Sequence, residues 1–200
     1  TCWEKCPSKK IKDEFELGMG MRTSIHKLFP QAVPGKPIID AATCTKLTKG
    51  KCGICEKVCP TQAIRYDDKD QYVDEEVGAI VMATGYDLFP WEEAYGEYGY
   101  GKYPDVITSL HFERLVSSQG PTGGKIQRPS DGKVPDSVAF IKCVGSRDDT
   151  KGKSYCSRAC CMYTAKHAYQ VKDKLPDSEA YVFYMDVRTA GKNYEEFYQR

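Results

Sequence analysis

Ten cysteines in a chain of 200 residues fall into three short-spaced sets. Cys2-x3-Cys6-Pro7 opens the chain, and Cys44-x7-Cys52-x2-Cys55-x3-Cys59-Pro60 follows. Cys143-x12-Cys156-x3-Cys160-Cys161 lies in the last third. Thiolates at such spacings bind metal. The bacterial ferredoxin run is C-x2-C-x2-C-x3-C-P, in which the fourth cysteine of each run serves the other cluster. By that crossing rule Cys6, Cys44, Cys52 and Cys55 hold one [4Fe–4S] cluster. Cys2 and Cys59 then belong to a second, whose other ligands are expected upstream of Thr1, as in a fragment of a longer protein. A C-x2-C hairpin turns backbone N–H groups toward the sulfurs, and the following proline leads the chain away without a competing donor. A zinc knuckle also uses C-x2-C and remains the alternative.

The third set sits where a strand pattern meets a helix pattern. Ser137 to Val144 (SVAFIKCV) is short, apolar and β-rich, and reads as a buried strand. From Ser157 to Leu175 the apolar residues recur at helical spacing, with Ser157 available as N-cap and Pro176 as terminator. Cys156 and Cys160, four apart, would share a face of the first turn, with Cys143 returning from the strand end. An anionic cluster suits a helix N-terminus, where free N–H groups and the positive end of the dipole point. Buried core cysteines and a disulfide pair are the competing readings.

Composition sets the bounds. A net charge of +1 gives no argument for nucleic acid or an anionic membrane as partner. Hydrophobic residues make up 40% and the mean hydropathy is −0.56, with no apolar run long enough to span a bilayer. Grouped thiols without a visible secretory signal point to a reducing cytoplasm.

The elements that must position these thiols are expected in three parts: 1–70 a ferredoxin-type domain, 71–135 a flavin-domain segment with linker, and 136–200 a Rossmann-like β-α-β unit. The fold class is thus α/β, or α+β overall. Ile11 to Pro37, with Gly18-Met19-Gly20 and three prolines, reads as an irregular connector, and His26 as a loop histidine. Asp67 to Glu76 reads as a turn and a short exposed strand. Val77 to Gly85 (VGAIVMATG) reads as an apolar strand, Ala79–Met82, ending in Ala83-Thr84-Gly85. Trp91 to Pro104 is a Tyr- and Gly-rich tract, and Thr108 to Val116 a short helix capped by Thr108 or Ser109. Gly120-Pro-Thr-Gly-Gly-Lys125 lacks P-loop spacing and reads as loop. Strand 137–144, helix 157–175 and strand 180–187 make a β-α-β unit with parallel strands. Asp186 sits where a nicotinamide-binding unit carries its ribose acid, but the glycine fingerprint is replaced by Gly145, a charged insertion and the cysteines. Arg147 and Arg158 are candidates to offset cluster charge.

LTKGKCGICEKVCP, VGAIVMATGYD, YGYGKYPDVITSLHFERL, RPSDGK, IKCVGSRD, YCSRACCMY and GKNYEEFY are the stretches that carry a family resemblance. Together they resemble the iron–sulfur and FAD subunit of heterodisulfide reductase, a family known from methanogens and related archaea and bacteria. The resemblance implies a thioredoxin-reductase-like flavoprotein with an inserted ferredoxin domain and a cluster at Cys143, Cys156, Cys160 and Cys161. It places Ala83, Thr84 and Gly85 against FAD. It also implies an oxidoreductase subunit whose flavin splits electron pairs in CoM–CoB heterodisulfide reduction and whose clusters carry single electrons. The implied partners are other reductase subunits, a hydrogenase or formate dehydrogenase, and ferredoxin. The flavin G-x-G-x-x-G has no counterpart, so this stretch alone should bind FAD poorly and build at most two complete clusters. No residue is a candidate acid–base catalyst. The competing functions are the flavin subunit of a quinone-interacting complex and a zinc-stabilised scaffold.

Overall fold

The computed structural model describes residues 2–90 and 96–200. It divides into two compact units, Thr1–Tyr86 and Asp87–Arg200. Residues 91–95 of the Tyr- and Gly-rich tract lie outside the described residues.

The first unit holds three short helices, α1 (Cys2–Lys5), α2 (Thr45–Lys49) and α3 (Ile54–Lys57), and two small antiparallel hairpins. The strands β1 (Ile11–Lys12) and β2 (Met21–Arg22) pair, as do β3 (Ile25–His26) and β4 (Ile38–Ile39). The expectation of an irregular connector over 11–37 is therefore corrected. Leu17 and Gly18 take φ of 53° and 79°, and the Gly18 N–H reaches the Asp13 carbonyl at 2.8 Å, which reverses the chain between β1 and β2. Buried Ser24 knits three segments: its N–H donates to the Ser8 carbonyl, its hydroxyl to the Thr43 carbonyl at 2.8 Å, and its own carbonyl accepts from Asp40 N–H. Arg22 clamps Glu14 at 2.5 Å and Asp40 at 3.0 Å. The Arg22 hydrogen bond holds the Glu14 carboxyl down to about 2. Gly50, at φ 66°, ends α2 in a left-handed cap with its N–H on the Lys46 carbonyl.

Past Tyr66 the first unit has neither helix nor strand among the described residues. Two expectations fall here, the exposed strand near Asp67–Glu76 and the apolar strand Ala79–Met82. Ile80 and Val81 are 78% and 89% exposed. A strand needs a neighbour for its ladder, and no described strand pairs with this one.

The second unit is built on a β-α-β core: β5 (Ser137–Ile141), α5 (Cys160–Lys174) and β6 (Glu179–Phe183). The strands are parallel, in register from Ser137 opposite Glu179 to Ile141 opposite Phe183. Both are half buried in strict alternation, so only one face is covered, where a buried strand had been expected over Ser137–Val144. Val138, Phe140 and Ala180 point to a core of Phe112, Val116, Ile126 and Val171. Phe112 and Phe140 meet edge to face at 5.6 Å. Each element is shorter than its sequence pattern. Arg158 at φ 59° stops α5 from extending backward, so Ala159 and not Ser157 stands at its N-cap. Helix α4 (Ser109–Val116) is capped by Thr108, whose hydroxyl accepts the His111 N–H while the His111 ring accepts the Thr108 N–H. A 3-10 turn at Gly96–Tyr98 and a last helix, α6 (Tyr194–Gln199), were not anticipated.

Candidate metal centres

In the first unit Cys6, Cys44, Cys52 and Cys55 line one cavity, roofed by Ile25 and Ile39. Three local structures deliver them. Cys6 follows α1, Cys44 caps α2 from extended backbone, Cys52 precedes α3, and Cys55 lies within it. Cys6 and Cys44 are buried, Cys52 and Cys55 half-buried. Ile54 and Gly53 N–H groups at the start of α3 hold the Cys52 thiol below its ordinary value, with Lys46 and Lys57 adding to the effect. The Tyr66 hydroxyl sits 3.0 Å from Cys55 Sγ. Burial, and then the Cys55 sulfur, push the Tyr66 pKa up, so the phenol keeps its proton.

Cys2 and Cys59 do not line that cavity. Thr61 Oγ1, at 3.5 Å from Cys59 Sγ, and Ala63 N–H, at 3.3 Å, lower the Cys59 pKa. The chain turns sharply here, with Gln62 at φ 49° and its N–H on the Cys59 carbonyl. α1, which starts at Cys2, packs on α3.

The second unit gathers three of its four cysteines. Cys160 and Cys161 are the first two residues of α5, both buried, and Cys143 closes on Cys160 from the end of β5. Cys156 lies four residues before the helix and accepts the Arg158 N–H at 3.3 Å. Its expected place on the first helical turn with Cys160 is therefore corrected. Burial pushes the Cys160 thiol up, against the Cys143 N–H and with the charge of Cys143 and Cys161. For Cys161 burial also pushes upward, but the Arg188 N–H and the Lys142 ammonium outweigh it and hold the thiol below its ordinary value. Asp186 pairs with Arg147 at 2.5 Å and with Arg188 at 3.5 Å, and Arg147 holds its carboxyl below the usual range. Among the described residues no three His, Cys, Asp or Glu side chains are arranged to hold a single metal ion.

Residues 50–65 match the 4Fe-4S binding domain family. Across its whole length the chain is 47% identical to the A subunit of the H2:CoB–CoM heterodisulfide,ferredoxin reductase of Methanothermobacter marburgensis. It is likewise 49% identical to the iron-sulfur A subunit of the CoB–CoM heterodisulfide reductase of Methanocaldococcus jannaschii. The corresponding component of the H2/formate:CoB–CoM heterodisulfide,ferredoxin reductase of Methanococcus maripaludis is 48% identical. The chain is homologous throughout to the iron–sulfur A subunit of heterodisulfide reductase. It spans 29% of the length of each of these three relatives.

The donor set of the chain fits iron–sulfur chemistry. Soft thiols collect at helix starts, with backbone N–H groups and lysines set against the sulfurs. Ala83, Thr84 and Gly85 lie on exposed chain, and a Cβ added at Gly85 (φ 77°) would meet nothing within 4 Å. Two residues that touch the thiols were not singled out from sequence, Tyr66 and Lys142. Their signal was faint: an aromatic seven residues past Cys59, and a lysine closing an apolar strand. A cleft of about 490 Å³ in the second unit is lined by Tyr98, Tyr100, Phe140, Tyr163 and His167. No helix among the described residues is long and apolar enough to cross a membrane.

Proposed function

We propose that the chain is the electron-transferring segment of an FAD- and iron–sulfur-containing oxidoreductase subunit. In this reading Cys6, Cys44, Cys52 and Cys55 ligate one [4Fe–4S] cluster, and Cys143, Cys156, Cys160 and Cys161 another. Cys2 and Cys59 are ligands of a third, completed by other parts of the whole protein. The carrying observation is that four cysteines from three separate local structures, chosen by the crossing rule, line one cavity. When bound, a [4Fe–4S] cluster takes up and returns one electron. The chain's part is to fix the thiols, shield them under Ile25 and Ile39, and aim N–H and ammonium donors at them.

The names of the relatives support heterodisulfide reduction linked to H2, formate and ferredoxin as the whole protein's work. The corresponding partners are the other reductase subunits, a hydrogenase or formate dehydrogenase, and ferredoxin, in the cytoplasm. Flavin-based bifurcation, with Ala83, Thr84 and Gly85 against FAD, belongs to the same proposal. So do a thioredoxin-reductase-like, Rossmann-type region after the ferredoxin-type domain and the division at 1–70, 71–135 and 136–200.

The test is the whole subunit, purified anaerobically. Iron and acid-labile sulfide should be present, and Cys55→Ser should remove one EPR signal and about four irons per chain. A colourless protein that carries zinc and lacks sulfide would defeat this reading in favour of a zinc-stabilised scaffold.

A further inference from the structure

Lys142 is a buried lysine beside a thiol. It follows β5, and its N–H continues the ladder onto the Phe183 carbonyl at 3.1 Å. Its side chain turns away from water, leaving the residue 8% exposed. The ammonium donates to Cys161 Sγ at 3.2 Å and to the Asp186 carbonyl at 3.3 Å. It also lies over the Tyr184 ring, 4.9 Å from the centroid. Two hydrogen bonds and a cation–π contact account for the head group. Among the described residues no carboxylate forms an ion pair with it. The other cations nearby differ. Arg147, which also reaches Cys143, is matched by Asp186 at 2.5 Å, and Arg188 shares the same carboxylate. Among the described residues Lys142 is a buried cation without a carboxylate partner.

A buried ammonium without a counter-ion is costly, and a thiolate at hydrogen-bond distance is the compensation this pocket offers. We infer that Lys142 is a positioning residue that acts through Cys161 to raise the reduction potential of a cluster held by Cys143, Cys156, Cys160 and Cys161. The inference rests on the ligand reading above. The physical reason is that a cluster gains one negative charge on reduction, and a fixed positive charge in a poorly screened site favours the more negative state. The step is the uptake of one electron from a chemical reductant; Lys142 keeps its proton and no bond forms or breaks.

The test uses the whole subunit, loaded anaerobically and titrated with dithionite while the cluster EPR signals are followed. Lys142→Met keeps the apolar stem and removes the charge; Lys142→Gln is a second neutral variant; Lys142→Arg keeps the charge. Expected is a lowered midpoint for one cluster in both neutral variants. The reduction equilibrium should become at least tenfold less favourable, 59 mV for one electron. Lys142→Arg should retain most of the wild-type value, and the signals of the other clusters should not move. Loading in Lys142→Arg but in neither neutral variant also supports the inference, since charge alone separates them. An unmoved midpoint in a loaded neutral variant overturns it, as does an equal shift in Lys142→Arg, or loss of the cluster in all three. If the wild-type subunit lacks a cluster bound through Cys160, the ligand reading itself fails, and Cys160→Ala then leaves the iron content unchanged.

Discussion

At the scale of residues, the backbone is most demanding near the sulfurs. Among the described residues six non-glycine residues have positive φ, and three of them, Cys143, Arg147 and Arg158, lie in the segment that carries the third cysteine set. Left-handed backbone costs a side-chain-bearing residue about 1–2 kcal/mol, so such outliers point toward function. Gly120 shows the opposite case, a position closed to any side chain. A Cβ there would sit 1.8 Å from the Arg114 carbonyl oxygen, which belongs to α4 and cannot step aside. Gly120→Ala should therefore destabilise the second unit by about 3 kcal/mol, the upper part of the overpacking range. Gly50→Ala, with open space around it but φ 66°, should cost about 1 kcal/mol. Denaturant unfolding followed by circular dichroism ranks the two, and an equal or reversed order would contradict the packing at Gly120. The grouping of Cys6, Cys44, Cys52 and Cys55 was legible because spacing and the crossing rule single them out, whereas the place of Cys156 was not, because the helix starts only at Cys160. Lys142 and Tyr66 were not, because a lone lysine or tyrosine reads equally well as a solvated side chain.

Elements show where sequence patterns carry and where they stop. The β-α-β unit was legible because each strand is five residues long and the helix fifteen, enough for periods of 2 and 3.6 to register. Two-residue strands such as β1 to β4 carry no period, so the hairpins of the first unit were invisible. The face that α5 turns to Phe112 carries His167, 1% exposed, with Nε2 2.5 Å from Glu113 and Nδ1 without a partner among the described residues. Burial lowers the His167 pKa below its ordinary 6.5, although Glu113 opposes this, and Lys166 adds to the lowering. A depressed imidazole means that the unfolded chain binds the proton more readily. Stability is then full above pH 6.5 and falls as the pH drops through that value. Burial would raise the Glu113 carboxyl, but His167 and Lys166 hold it below its ordinary 4.5, so its own loss adds further down in the same direction. Unfolding midpoints should thus decline in the window that opens as the pH drops below 6.5. His167→Gln should flatten that window and spare the fall below 4.5. A decline in the variant as steep as in the parent would remove His167 from the account.

At the scale of the whole molecule, apolar surface is unevenly distributed. Val77, Ile80, Val81 and Met82 stand exposed along one segment, and Ile141, Tyr181 and Phe183 along the uncovered face of the sheet. Contiguous apolar exposure favours association. The 200-residue chain produced alone should aggregate, and Ile80→Lys with Met82→Lys should raise its solubility at unchanged iron content. Light scattering and iron analysis check both halves, and unaltered aggregation would shift attention to the sheet face. The parallel pair has one more consequence, which concerns time. Ser137 and Glu179 must meet although they stand roughly 40 residues apart in the chain, and closing a loop of that length comes before any reward from the ladder. On the ribosome, Cys143 through Cys161 all emerge before β6 exists to order them. On the ligand reading proposed above, iron delivery to these four cysteines would follow the arrival of β6, and the thiols would be open to damage in the interval before it.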